Sequence, residues 1–211
     1  MDLGAQIAKK LLQVNAIKLN PAQPFTWASG IKSPIYCDNR ISLSYPDIRT
    51  FIKIKLSELS SQFETFDTVA GVATAGIPHG ALIADQLNLP FAYIRSKAKA
   101  HGRQNLIEGK IDKGAKVLVV EDLISTGMSS LKAVDAVKET GATVVGVIAI
   151  FTYDFPQAKE AFEKANCPLK TLSSYPALLE QAVEQEYINE QELSVLKEWN
   201  LDPTRWAEKN T

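Results

Sequence analysis

Glu121 and Asp122 stand side by side in VLVVEDLISTGMSS (residues 117–130), after four aliphatic residues and before a run of hydroxyl and glycine residues. Adjacent carboxylates repel, and an unpaired charge is expensive to bury, so a buried strand alone has no use for the pair. The acids need something to face. Ser125-Thr126-Gly127-Met128-Ser129 falls between an expected strand and an expected helix N-terminus. Backbone N–H groups, hydroxyls and the positive end of a helix dipole can surround a phosphate there. The stretch lacks the GK[ST] ending of a Walker loop, and it is not GxGxxG. Two carboxylates beside a phosphate suit the vicinal hydroxyls of a sugar, as acceptors from two O–H donors. They also stabilise positive charge developing on a sugar ring. The combination points to a phosphorylated ribose. A buried strand followed by an ordinary turn and helix cap would leave both acids unexplained.

The elements that must position these residues alternate along the chain. Leu3, Ile7, Leu11 and Val14 have helical spacing over 3–14. The segment FTWASGIKSPIYCDNR (25–40) is aromatic, turn-rich and unlike the rest. A helix is expected from near Ser44 to about Gln62, with Pro46 in its first turn and Asp47 three residues past the cap. Strands are expected at 68–74, 91–97, 116–121 and 143–151, and helices at 77–88, 129–140 and 156–165. Residues 101–114 carry three glycines, mixed charges and no sustained period, and read as a mobile loop. From Tyr175 the spacing predicts two or three short helices, with an Asn189/Glu192 capping box and a further start at Asp202-Pro203. Strands separated by helical segments imply an α/β fold with a mostly parallel sheet flanked by helices. Ligands of such sheets sit beyond the carboxyl ends of the strands. Three strands here end in unusual chemistry, at GVATAGIPHG, IRSKAKAHG and VVEDLISTGMSS.

Composition narrows the function classes. The 211 residues fit one α/β domain and can bury a sizeable core. Lys plus Arg is 23 against 24 Asp plus Glu, so the net charge of −1 offers no global field for nucleic acid or a membrane. Any anion must be held locally. Cys37 and Cys167 match no metal or redox spacing and read as reduced thiols of a cytoplasmic protein. Asp2 and the lack of an apolar stretch in MDLGAQIAKK argue against a signal peptide. The longest apolar run, 144–151, is too short to span a bilayer.

Together these stretches carry a family resemblance. VLVVEDLISTGMSS resembles the phosphoribosyl pyrophosphate (PRPP) signature of the type I phosphoribosyltransferases: apolar residues, two acids, two more residues and a Thr-Gly-containing phosphate loop. FTWASGIKSPIYCDNR resembles the N-terminal hood that orotate phosphoribosyltransferases place over the base. RSKAKAHGRQNLIEG resembles their Arg…Lys-x-His run followed by a catalytic loop. The chain is thus identified as a member of the orotate phosphoribosyltransferases over residues 1 to about 205. The division that follows is a hood at 1–42, a PRPP-binding core at 43–170 and C-terminal helices at 171–211, all within one domain.

The resemblance implies roles. Glu121 and Asp122 match the acids that hold the ribose 2′- and 3′-hydroxyls, with Asp122 catalytic. Leu123 and Ile124 lead into the 5′-phosphate loop Ser125, Thr126, Gly127, Met128 and Ser129, and Ser125 also touches orotate. Arg95, Lys99 and His101 match cations that reach the pyrophosphate, the latter two catalytic. Lys32 matches a lysine near the base, and Thr74-Ala75-Gly76 the short loop that bends around the pyrophosphate. The loop bearing Lys99 and His101 closes in this family over the neighbouring subunit's site, which implies a homodimer with shared sites. Mg²⁺ is the implied cofactor, held mainly through PRPP oxygens rather than by a protein cage. Binding of nucleic acid or membrane is not implied. The expected reaction converts orotate and PRPP to orotidine 5′-monophosphate and pyrophosphate, a step of pyrimidine (UMP) synthesis. The chain departs from other branches at Ala28, Thr74-Ala75 and Ser96, where lysines or a Tyr-Lys pair stand elsewhere. Tyr153-Asp154 replace an arginine that meets the orotate carboxylate, leaving Lys32 and Arg40 as candidates for that partner.

Blander readings compete at several positions. Lys97, Lys99 and Arg103 also fit a solvated charge run, and a lone loop histidine such as His101 commonly faces solvent. His79 reads as structural or peripheral. Phe25, Trp27 and Tyr36 fit core or interface roles, with base stacking by one of them left open. Among whole-protein alternatives, a purine phosphoribosyltransferase would share 117–130 without needing the 25–40 segment. A PRPP-sensing regulator would carry a nucleic-acid-binding element, and none is evident. A plain flavodoxin-like nucleotide-binding domain fits least well.

Overall fold

The helical spacing at the N-terminus forms α1 (Leu3–Gln13), which buries Ile7, Ala8, Leu11 and Leu12 on one face. The Asp2 carboxylate caps it by accepting from the Gly4 N–H at 3.1 Å. The computed structural model describes residues 2–27, 30–97 and 106–209. Two units divide the chain, Met1–Tyr45 with Ser173–Thr211, and Pro46–Leu172. In the first, the turn-rich segment folds into two small antiparallel ladders. Strand β1 (Ile17–Leu19) pairs with β4 (Ile35–Cys37), and between them β2 (Phe25–Thr26) pairs with β3 (Lys32–Ser33). The Trp27 indole N–H donates to the Ile35 carbonyl at 3.1 Å and the ring meets Trp199 edge-on. A 3₁₀ helix, Asn39–Ser44, follows.

The second unit opens with α2 (Pro46–Ser60), where proline occupies the first helical position and Asp47 lies in the first turn. Next come β5 (Thr68–Val72), α3 (Gly76–Leu87), β6 (Phe91–Ile94), β7 (Ile107–Glu108) and β8 (Lys116–Ile124). They are followed by α4 (Met128–Lys138), β9 (Thr143–Thr152), α5 (Pro156–Lys164) and β10 (Leu169–Ser174). The sheet order is β10-β9-β8-β5-β6-β7. β5 runs parallel to β6 and β8, β8 runs parallel to β9, and β7 runs antiparallel to β6. Val117 to Val120 and Val147 to Phe151 are wholly buried. Such unbroken apolar runs are what strands covered by helices on both faces require. Each fully buried aliphatic side chain contributes about 1.5–3 kcal/mol of transfer free energy.

The expected α/β architecture with a mostly parallel sheet is therefore found, with three differences. β8 does not stop at Glu121 but continues through both acids to Ile124. Part of the 101–114 stretch read as a mobile loop is strand β7, because Ile107 and Glu108 pair with Ile94 and Tyr93. β10 was not expected; its sequence LKTLSS alternates too weakly to announce a strand. Back in the first unit, the tail forms α6 (Tyr175–Glu184), α7 (Glu190–Leu201) and α8 (Pro203–Lys209). The Asn189/Glu192 capping box opens α7 as expected. Among the described residues no helix is long and apolar enough to cross a membrane.

Candidate functional site

Parallel register brings three strand ends level. Gly71 lies opposite Val120 and Val72 opposite Ile94, so the segments after β5, β6 and β8 leave the sheet side by side. The Ala73 N–H donates to the Ile94 carbonyl at 2.7 Å, and the Ala73–Thr74 peptide is cis. Helix α3 starts at once, and glycine permits it to do so. A Cβ on Gly71 would come within 2.7 Å of the Gly76 carbonyl oxygen, and one on Gly76 would collide with the Val120 carbonyl. The start of α3 is thereby pressed against the end of β8.

Burial and protonation, rather than separation, govern how the two acids coexist. Alternation along β8 gives Glu121 and Asp122 different burial, yet their carboxyls stay close enough to interact. Glu121 is 6% exposed. Its Oε1 accepts from the Asp122 N–H at 3.1 Å, and its Oε2 from the hydroxyl of Ser130, itself buried in the first turn of α4, at 3.4 Å. Burial first, then the neighbouring Asp122 carboxyl, pushes Glu121 up to about 9. This raised affinity favours a proton on the pair near neutral pH, which relieves the repulsion that made it awkward. Asp122 is only half-buried. In the free protein the acids are thus stored differently: one buried, one nearer the surface.

The expected phosphate loop, residues 125–129, begins directly after β8 ends at Ile124. Leu123 and Ile124 are strand residues, paired with Phe151 and Thr152 of β9, and the Ile124 carbonyl accepts from the Tyr153 N–H at 3.0 Å. Gly127 precedes α4 with φ +78°, a region that glycine enters without penalty. A Cβ there would also meet the Phe162 ring at 2.8 Å. No side-chain hydrogen bond caps α4, whose opening amides remain available to an anion. Thr126, Met128 and Ser129 are exposed around that end.

Across from this loop stands Arg95, just beyond β6. A cavity of about 650 Å³ is lined by Arg95, Ser96, Leu106, Thr126, Met128, Ser129 and Lys132, among others. It joins the expected pyrophosphate cation to three residues of the expected phosphate loop, Thr126, Met128 and Ser129. Lys132, one turn past Ser129 on α4, was not singled out from sequence; its i+3 spacing from the loop was the available signal. Glu108, which pairs with Arg95 at 3.4 Å, was missed as well.

Other expected residues lie elsewhere. Lys99, His101, Arg103 and Ala28 fall outside the described residues. Lys32 sits half-buried on β3 of the other unit, and Arg40 is engaged by Asp38 through two nitrogens at 2.6 and 2.8 Å. That pairing holds the Asp38 carboxyl below its usual range. His79 is buried on α3, with no hydrogen-bond partner for Nε2 among the described residues. Burial lowers it to about 4, so it is a neutral packing residue at physiological pH. Among the described residues no cluster of three or more His, Cys, Asp or Glu is arranged to hold a metal.

Comparison with known proteins fits this geometry. The phosphoribosyl transferase domain family matches residues 41–173, from the 3₁₀ helix to β10. The orotate phosphoribosyltransferase of Bacteroides thetaiotaomicron is 56% identical over 206 residues, 97% of either chain. The crystal structure of the Aeropyrum pernix orotate phosphoribosyltransferase superposes with a TM-score of 0.76 at 28% identity, covering 87% of this chain and 99% of that one. The Mycobacterium tuberculosis enzyme, crystallised with PRPP, gives a TM-score of 0.65 at 26% identity over 83% of this chain and 98% of its own. Similarity at this level along nearly the whole chain is decisive: the chain belongs to the phosphoribosyl transferase domain family, and within it to the orotate phosphoribosyltransferases.

Proposed function

We propose that this protein transfers the 5-phosphoribosyl group from PRPP to orotate, releasing pyrophosphate and orotidine 5′-monophosphate for pyrimidine synthesis. The observation that carries the reading is the junction of β8 and α4, where the half-buried Asp122 carboxyl lies a few residues before a helix start with no side-chain cap. The amides after Gly127, with the Thr126 and Ser129 hydroxyls, hold the 5′-phosphate. Asp122 accepts from a ribose hydroxyl, and Glu121 supports the same ring from beneath. Ser125 and Lys32 contact orotate. Arg95, with Lys99 and His101, binds the pyrophosphate. As the C1′–O bond to pyrophosphate breaks, positive charge grows on the ribose ring and negative charge on the leaving group. Asp122 stabilises the first and the cations the second, which is where binding energy accelerates the step.

Asp122 is a hard oxygen donor, which suits an Mg²⁺ ion arriving largely on PRPP oxygens and supplying charge neutralisation to the leaving group. The functional unit is a homodimer whose Lys99 and His101 serve the partner's site. Mixing Lys99→Ala with Asp122→Ala subunits then restores part of the activity after subunit exchange; no recovery would refute sharing. The setting is the reducing cytoplasm, where Cys37 and Cys167 stay thiols. The reaction itself is tested by incubating the protein with PRPP, Mg²⁺ and a panel of bases while following pyrophosphate. Orotate-dependent release is expected. Release with adenine or guanine instead would replace this reading with a purine enzyme.

A further inference from the structure

Arg95 has a neighbour for which the reaction as drawn has no use. Strand β7 places Glu108 opposite Tyr93, and the Arg95 N–H donates to the Leu106 carbonyl at 2.7 Å, closing the ladder. Tyr93 and Arg95 are two residues apart and share a sheet face, so Glu108 is the diagonal cross-strand neighbour of Arg95 on that face. Glu108 Oε1 and Arg95 Nη1 are 3.4 Å apart, with less than a third of either side chain exposed. Glu108 is the one side chain among the described residues recorded as pairing with this guanidinium. Arg95 lines the cavity shared with Thr126, Ser129 and Lys132, whereas Glu108 does not.

We propose that Glu108 is a positioning residue for PRPP binding: from behind the cavity wall it holds the Arg95 guanidinium so that its remaining N–H groups face the leaving pyrophosphate. The inference rests on the reading above that Arg95 meets that group. A free arginine must lose rotamer freedom and choose an orientation at the moment of binding. A carboxylate behind it imposes both beforehand, and a planar guanidinium anchored on one edge still offers the other to a phosphate. The hold is deliberately modest. A contact of 3.4 Å through one nitrogen restrains the side chain yet lets it shift toward a polyanion.

The effect should be confined to one substrate. Glu108→Ala raises the KM for PRPP about 5–10-fold and leaves the KM for orotate within about twofold, the range of ordinary coupling between contacting residues. Glu108→Gln keeps an acceptor oxygen at the same place and recovers most of the loss. Because Glu108 acts through Arg95, Glu108→Ala adds nothing to the PRPP defect of Arg95→Ala. Steady-state kinetics of the two single variants, the glutamine variant and the double variant measure all of this. Thermal unfolding of each checks that the fold survives. Equal Glu108→Ala penalties with and without Arg95, or parallel rises in both KM values, would overturn the proposal. If Arg95→Ala alone leaves the PRPP KM unchanged, the assigned role of Arg95 fails first and that of Glu108 falls with it.

Discussion

The two walls of the cavity are built on opposite principles. On the β8–α4 side, Val117 to Val120 are wholly buried, Glu121 is locked beneath Ser130, and Gly127 is fixed by its φ and by the Phe162 ring. On the β6–β7 side, a ladder of two residue pairs and one ion pair between part-exposed side chains hold the cation. Ion pairs that touch water are commonly worth about 0–1 kcal/mol, far less than the burial behind β8. The difference teaches a division of labour. In the proposed reaction the sugar phosphate, present in substrate and product alike, meets the more deeply anchored wall. In that reaction the leaving group meets the more lightly held one.

Substitutions should therefore separate by wall. The largest effect is expected at Asp122, where charge develops on the ribose ring. Asp122→Asn keeps the shape and loses the charge, and should lower kcat on the order of 10²-fold while changing PRPP binding far less. Equal losses in affinity and kcat/KM with kcat intact would argue against a role specific to the transition state.

Next comes Gly127. Valine there must adopt a φ near +78° and place its Cβ against Phe162 at 2.8 Å. Strain and overpacking together should cost about 2–4 kcal/mol of stability, read as a lower urea midpoint. A midpoint equal to wild type would show that the loop is not rigid.

A smaller, pH-dependent effect sharpens the picture of the stored acids. Glu121 has a folded pKa raised to about 9 from an ordinary 4.5. The folded state therefore binds the extra proton, and its stabilising contribution is full below about 4.5 and lost as pH rises toward 9. Glu121→Gln mimics the protonated acid and should flatten this decline, unfolding at higher urea than wild type at pH 9 but not at pH 5. Parallel urea midpoints for the two proteins across that range would mean that Glu121 is ionised in the fold.

Much of this was legible in the sequence, and the losses have physical causes. The buried strands announced themselves because apolar runs such as VLVV and VIAIF leave little else to build. The helix start at Pro46 and the Asn189/Glu192 box were readable because caps are local chemistry. β7 was not, since two residues carry no period and only the neighbouring β6 makes them a strand. Glu108 was invisible for the same reason: its partner, Arg95, is 13 residues away and meets it only through the ladder. The adjacent acids stood out in the sequence, yet the raised pKa of Glu121 required knowing how deeply the fold buries it beside Asp122.

The central claim, that one wall holds the sugar phosphate and the other the leaving group, is tested most directly by calorimetric binding of two ligands. Ribose 5-phosphate carries what the β8–α4 wall should recognise, and PRPP adds the pyrophosphate. Arg95→Ala should leave ribose 5-phosphate affinity within about twofold of wild type while weakening PRPP about tenfold or more, the loss of one charge-assisted contact. Equal weakening of both ligands by Arg95→Ala would contradict the division between the walls.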